Sequence, residues 1–299
     1  MENYDILIIG AGAAGIAAAK SAWEAGCRDV LLVDRKQKMG GVLLQCAHHG
    51  FGKDLDGPEY TAKLLENFPE GVKFLPEVTA LQVRPNKTAL LSGKNIGKKE
   101  ISFHQLILAT GCREIPMGAL PIGGTRPEGI YTAGYAQELL NLHGIAPEGP
   151  VVILGSGDLG LVMAKHLAER DIPVTLVEQR ETCGGMAKNQ RCLTEFPIEL
   201  RCGTTISEVL GQKRLEAVRT ADGMLIPCKT LLIAAGLRPE QQLVRKLGDP
   251  EWLHICGNAS KVHPMVEAVV SEGKQAGKSA WENCSKGQLA SLFEGGGTA

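Results

Sequence analysis

The sequence predicts an α/β protein of two doubly wound, mostly parallel sheets, each with a glycine-rich turn between its first strand and first helix. Three observations predict it. The stretch "ILIIGAGAAG" (6–15) is an apolar run entering closely spaced glycines. "VVILGSGDLG" (151–160) spells that pattern a second time. Each is followed, one helix later, by an apolar strand ending in an acid, Asp34 or Glu178.

Taken in order, the pattern gives a strand over 5–9, a turn, a helix from Gly15 to about residue 25 and a strand over 29–34. "ISFHQLILATG" then reads as a strand closing at Gly111. The series restarts with a strand over 151–154, a helix over 160–169 and a strand over 174–178, and "CKTLLIAAG" closes it at Gly236. The period is far too long for a stacking repeat. Pro116, Pro121 and Pro127 follow the first closing strand and Pro239 the second. Proline fixes φ and discourages helix or central strand, so the interdomain crossings are expected near 112–118 and 236–242. The second domain (116–239) is then inserted in the first (1–115 and 240–285). Residues 286–299, ending in "GGGTA", form an expected disordered tail.

The glycines have separate reasons. In the first turn Gly10 permits the tight strand-to-helix reversal, Gly12 lets the backbone approach a pyrophosphate, and Gly15 lets helix and strand pack closely. Free N–H groups at the helix start, at Ala13 and Ala14, together with the positive end of the helix dipole, hold phosphate oxygens. Asp34, with Arg35 beside it, accepts hydrogen bonds from ribose hydroxyls. Gly155, Gly157, Gly160, Asp158 and Leu159 repeat the arrangement, with Glu178 and Gln179 at the strand end and Gly236 at the closing strand. A carboxylate at 178 favours a ribose 2′-OH over a 2′-phosphate, hence NADH over NADPH, with Arg180 nearby either softening that preference or standing as a solvated surface charge. Two dinucleotide sites in one chain suit hydride exchange between NADH and FAD. The fold class is therefore two Rossmann-like dinucleotide-binding domains, one for FAD and one for NAD(P).

Composition narrows the partners. With 299 residues and 44% hydrophobic content, two ordinary cores can form. A net charge of −1 argues against nucleic acid. Nine cysteines show no C-x-x-C pair and no zinc-ligand spacing, so no metal site is expected and the thiols read as free, in the cytoplasm. The apolar run 4–19 lacks the basic flank of a secretory signal, since Glu2 and Asp5 precede it, and no stretch suits a membrane span.

The two turns, "ILATGCREIP" and "LHICGNAS" together resemble the pyridine nucleotide–disulfide oxidoreductase superfamily, over about residues 1–285. The resemblance implies that Thr110 and Gly111 lie by the FAD. It implies that Gly257 and Asn258, in a motif that normally reads Gly-Asp, meet the ribityl chain. "VHPMVEAVVSEGKQAG" is implied to be the helix whose start, at Val266, faces the flavin; Val78 is implied to meet the adenine through its backbone. The size resembles the thioredoxin-reductase type, without a C-terminal interface domain, but the dithiol of that type is absent: "GIYTAGYAQELLN" has no cysteine. "GGVLLQCAHHGFG", "DGPEY", "TRPEGIYTAGYAQELLN" and "GGMAKNQRCLTEFPIEL" look like a narrower group of small NAD/FAD oxidoreductases. These are associated with anaerobic glycerol-3-phosphate dehydrogenase and are similar to alpha subunits of dye-linked amino-acid and opine dehydrogenases and of hydrogen cyanide synthase.

That resemblance places Gly41 and Val42 beside the flavin, with Cys46, His48 and His49 just beyond. Cys46 and His48 are candidate catalytic groups, as is His263 at the presumed helix start, against a plain packing role for each. The expected activity moves hydride from NADH to FAD and on to a partner protein or small acceptor. Alternatives are a flavoprotein subunit of a heteromeric amine or polyol dehydrogenase, a single-cysteine peroxide or disulfide reductase using Cys46, and a nucleotide sensor without catalysis. Expected partners are a dehydrogenase subunit or acceptor protein, or a second copy of the chain.

Overall fold

A computed structural model describes residues 1–294. It divides into two units, one formed by Met1–Arg113 and the described residues from Pro239 onward, the other by Glu114–Arg238.

The first unit is built on β1 (Glu2–Ile9), β2 (Val30–Val33), β3 (Lys73–Leu75), β4 (Val78–Arg84), β5 (Thr88–Gly93) and β6 (Gly97–Leu108). The sheet order is β3-β2-β1-β6-β5-β4. β1 lies parallel to β2 and β6, with Ile8 opposite Leu32 and Ile107. β6 serves two neighbours along one edge. Its first half pairs antiparallel with β5, and its last residues pair in parallel with the Leu253–Ile255 strand. β1 reads as an unbroken apolar run because both faces of a parallel sheet are covered; Ile6, Leu7 and Ile8 are fully buried. The β4–β5 hairpin has no counterpart among the elements that the sequence pattern gives, since its residues alternate only loosely.

α1 (Ala13–Glu24) and the C-terminal helix (Val266–Glu294) cover one face of that sheet. α1 starts two residues before the expected Gly15, so this glycine sits within the first turn rather than at its start. The C-terminal helix runs through 286–294, where the sequence pattern gives a tail; "GGGTA" (295–299) lies outside the described residues. The two helices meet backbone to backbone. A Cβ on Gly273 would lie 2.3 Å from Ala14 O, and one on Gly277 would lie 2.2 Å from Ala18 O. Small residues on both sides make this approach feasible, and a larger one forces the helices apart. Gly277→Leu is expected to cost about 3 kcal/mol or more in a urea titration, by overpacking against backbone. An unchanged unfolding midpoint would refute the close approach.

The second unit has a five-stranded all-parallel sheet. In spatial order its strands are Glu199–Arg201, Val174–Val177, Val151–Leu154, Thr230–Ile233 and Ile130–Thr132. α3 (Ala133–His143) and α4 (Asp158–Ala168) flank it, and α2 (Gly57–Leu65) belongs to the first unit. α4 also begins two residues before the expected start. A four-stranded sheet containing Ile206–Gly211, Leu215–Thr220 and Leu225–Pro227 packs on the other side. No helix among the described residues is long and apolar enough to cross a membrane.

Candidate functional site

Each unit carries the same cradle at the carboxyl end of its central strand. Gly10 has φ +106° and Gly155 φ +104°, a region that L side chains avoid. A Cβ at either would stand 2.4 Å from the carbonyl oxygen of Ala109 or Ala234, at the end of the neighbouring strand. A Cβ at Gly15 would lie 1.8 Å from Gly10 O, and one at Gly160 would lie 2.1 Å from Gly155 O. These four glycines are explained by the chain's own packing.

Gly12 and Gly157 are not. Gly12 has φ −77° and Gly157 φ −65°, conformations open to any residue, and a Cβ at either meets no atom within 4 Å. Both stand at helix N-caps where no side chain caps the helix. Open space at an uncapped helix start, with backbone N–H groups and the positive end of the dipole beneath it, fits a pyrophosphate. The cradles therefore fit FAD and a pyridine nucleotide.

The strand-end acids differ. Asp34 accepts one backbone hydrogen bond on each oxygen, from Ala11 N and Lys36 N, both at 2.7 Å. It is half-buried, which leaves lone pairs for a ribose diol. Val78 donates its N–H to Asp34 O at 2.9 Å, and Arg35 is exposed beside it. Glu178 is buried and crowded. Ser156 N and Oγ reach Oε2 at 2.9 and 2.6 Å, and Arg180 holds both oxygens. Burial acts to raise the Glu178 pKa, but the hydrogen bonds from Arg180 and Ser156 outweigh it and hold it at about 2. The sequence pattern casts Glu178 as an open ribose acceptor; its own neighbours occupy it. Gln179 is exposed, Leu159 is partly buried, and Gly236 has φ +116° at the closing strand. Asp158, in the first turn of α4, accepts from Met186 N (2.7 Å) and Asn189 Nδ2 (2.6 Å).

Around the first cradle the structure gathers most of the residues singled out for FAD. Gly40 N donates to Ala11 O at 2.8 Å, and a Cβ on Gly41 would touch Gly12 Cα at 3.0 Å. Gly257, at φ +61°, presses on Ala14, with 2.8 Å between its would-be Cβ and that of Ala14. Asn258 Oδ1 accepts from His263 N at 2.9 Å, so it fixes its own loop. Thr110 donates its hydroxyl hydrogen to Glu240 O at 2.6 Å, and Glu240 N donates to Gly111 O at 3.0 Å. Val266 packs with Leu43 and Tyr60, while Val42 is 62% exposed.

The sequence pattern misses Glu272. From the C-terminal helix its Oε2 accepts from Gly257 N at 2.8 Å, and its Oε1 lies 2.8 Å from His263 Nε2. One carboxylate thus ties down Gly257 and stands beside the His263 ring at the other end of the loop. An acid 15 residues past a loop glycine carries no signal until the helix is folded back.

The side chains considered for chemistry are mostly structural. "DGPEY" is a capping box for α2. Asp56 Oδ1 accepts from Glu59 N at 2.8 Å and Glu59 Oε2 from Asp56 N at 2.9 Å, with Pro58 in the first turn. Cys46 is buried against the start of α2 and donates to Val42 O at 3.3 Å. Burial pushes its pKa up to about 12. Thiolate is the nucleophile, so at neutral pH this sulfur is inert. His48 packs on Phe51 with ring centroids 5.2 Å apart, and His49 Nδ1 lies 2.9 Å from Asp54 O. Among the described residues no cluster of His, Cys, Asp and Glu suits a metal ion.

Cys228, Cys256 and Cys284 are likewise pushed up to about 12 by burial. An unfolded thiol titrates near 9, so the unfolded chain loses protons between pH 9 and 12 while the folded one keeps them. Stability is expected to be full below pH 9 and to fall as pH rises above it. Urea midpoints that stay level from pH 8 to 11 would contradict this.

Residues 4–251 match the family described as pyridine nucleotide-disulphide oxidoreductase. The chain is 29% identical over 286 residues to the A subunit of opine oxidase from Agrobacterium tumefaciens (strain Ach5), covering 84% of this chain and 56% of that one. It is 27% identical over 298 residues to hydrogen cyanide synthase subunit HcnB of Pseudomonas protegens, covering 85% and 62%. The chain thus spans little more than half the length of these relatives. In fold it is similar to the thioredoxin reductase of T. acidophilum, with a TM-score of 0.75 at 19% identity over 95% of this chain and 99% of that one.

Proposed function

The chain belongs to the pyridine nucleotide-disulphide oxidoreductase family, and on that premise we propose that it is an FAD-dependent oxidoreductase that moves hydride from a reduced pyridine nucleotide to FAD and passes the electrons to a partner protein. One observation carries the reading: the glycine cradle is built twice, each time with its middle glycine unexplained by packing. FAD, when bound, supplies a ring that accepts hydride and can release electrons singly or in pairs.

The chain's own residues bind and orient. Gly12 leaves room for a pyrophosphate, and the N–H groups at Ala13 and Ala14 with the α1 dipole offset its charge. Asp34 accepts from the ribose with the lone pairs its two backbone donors leave free. Glu272 holds Gly257 in the loop ahead of the C-terminal helix, whose positive end would favour negative charge on a flavin bound there. Gly157 plays for the pyridine nucleotide the part Gly12 plays for FAD. No side-chain acid is required, because hydride transfer rests on proximity and orientation.

Anaerobic stopped-flow mixing of the flavin-loaded protein with NADH, and separately with NADPH, tests this reading. Bleaching of the flavin absorbance by at least one of them is expected; a spectrum that neither changes would refute it. Cys46→Ser should bleach as the wild type does, since a buried neutral thiol takes no part.

A second reading, a flavoprotein subunit of a heteromeric dehydrogenase, is favoured by the two relatives, both of which are named as subunits of larger enzymes. It predicts a stable complex on purification from the native host and little turnover with dyes by the isolated chain.

A further inference from the structure

The two strand-end acids occupy equivalent places in their units, but their surroundings differ in kind. Asp34 receives one donor on each oxygen. Glu178 receives five: Arg180 N (3.1 Å) and Nε (2.9 Å) on Oε1, and Ser156 N (2.9 Å), Ser156 Oγ (2.6 Å) and Arg180 Nη2 (3.2 Å) on Oε2. An ionised carboxylate offers about four lone-pair positions, so none is left for a ribose diol. The Glu178 side chain is also only 7% exposed, whereas that of Arg180 is 63% exposed.

Arg180 is held in place by more than the acid. A Cβ on Gly184 would fall 1.9 Å from Arg180 Nη2, so only glycine lets the guanidinium lie there. Gly184 N in turn donates to Ser156 Oγ at 2.8 Å, and that hydroxyl donates to Glu178. Glu178, Arg180, Gly184 and Ser156 form one closed arrangement around the glycine turn. It commits two of the guanidinium's N–H groups to the acid and leaves the others on the exposed side.

We propose that Arg180, rather than Glu178, meets the adenosine ribose in this unit, and that the second cradle selects a dinucleotide bearing a 2′-phosphate, NADPH over NADH. The inference rests on the reading that this unit holds a pyridine nucleotide, and it reverses the preference that the sequence pattern suggests. A bare carboxylate at position 178 repels a 2′-phosphate; a carboxylate cancelled by its own arginine does not. The outward N–H groups of a planar guanidinium match phosphate oxygens and give charge-assisted hydrogen bonds. A 2′-OH gains neither charge nor a free carboxylate oxygen.

Titration calorimetry of the flavin-loaded protein with two unreactive probes, 2′-phospho-ADP-ribose and ADP-ribose, tests it. The wild type is expected to bind the phosphorylated probe about tenfold or more tightly, with a margin that shrinks as salt rises. Arg180→Leu is expected to reverse the order, weakening the phosphorylated probe about tenfold and strengthening ADP-ribose, because Glu178 regains free lone pairs. Arg180→Lys should fall between, keeping the charge but losing the fork. Unchanged flavin content and a single cooperative melt in both variants establish that the fold is intact; a lower melting temperature is expected in Arg180→Leu, because the buried Glu178 loses its arginine. Equal binding of the probes by the wild type, or a ratio unmoved in Arg180→Leu, overturns the proposal. If the flavin stays bound and neither probe binds, the reading of this unit as a pyridine-nucleotide site is itself wrong.

Discussion

Gly12→Val is expected to give a folded but colourless protein. The backbone at this position, φ −77° and ψ −171°, suits valine, and its Cβ meets no protein atom within 4 Å. Neither the backbone nor the added Cβ gives the fold a reason to object, so the urea midpoint should stay close to that of the wild type. The loss falls on the ligand, because branched methyl groups then occupy the space over the uncapped start of α1. A steric block at a pyrophosphate should cost at least about 3 kcal/mol, roughly a hundredfold in affinity. Flavin absorbance per protein after gel filtration measures it. A yellow Gly12→Val protein would remove the first cradle from any account of FAD binding. Gly15→Val serves as the contrast. Its Cβ would fall 1.8 Å from Gly10 O, so it should fail to fold, and loss of flavin there would say nothing about binding.

Gly157→Val should separate the two cradles. Here φ is −65° and ψ 176°, again with nothing within 4 Å of the added carbon. The protein should stay folded and yellow, since the substitution lies in the Glu114–Arg238 unit. Flavin bleaching by NADH and by NADPH should slow by roughly a hundredfold at subsaturating nucleotide, the same steric cost applied to the other ligand. Dithionite should still bleach it. If the nucleotide bleaches the variant at the wild-type rate, hydride enters by a route that does not use this turn.

Much of the fold is legible in the residue order. Strand, glycine turn, helix and acid-terminated strand are local patterns, and each glycine declares a backbone requirement by its residue type alone. The apolar runs at 6–9 and 151–154 likewise declare strands buried on both faces of a parallel sheet. Less legible are the β4–β5 hairpin, with its loose alternation, and the full length of the C-terminal helix. The expected tail at 286–294 is helical; Gly287 and the glycine run at 295–297 read as loop punctuation and outweigh the helical spacing of Leu289, Leu292 and Phe293.

Chemistry at individual side chains is harder to read than backbone shape. "DGPEY" resembles a family signature and is, physically, a helix cap. Cys46 reads as a thiol beside a flavin, and packing against the start of α2 keeps it protonated.

Asp34 and Glu178 mark the division most clearly. Both are acids six positions ahead of a Gly-Gly pair, and the residue order assigns them one role. Their difference comes from partners brought in by folding: two backbone amides for Asp34, an arginine fork and a serine for Glu178. Sequence alone determined where the backbone must turn and where a helix start is left open, because those depend on a missing Cβ and on local helix pattern. Tertiary structure decided which carboxylate still has lone pairs to offer, because hydrogen-bond capacity is finite and is consumed by whichever neighbours arrive.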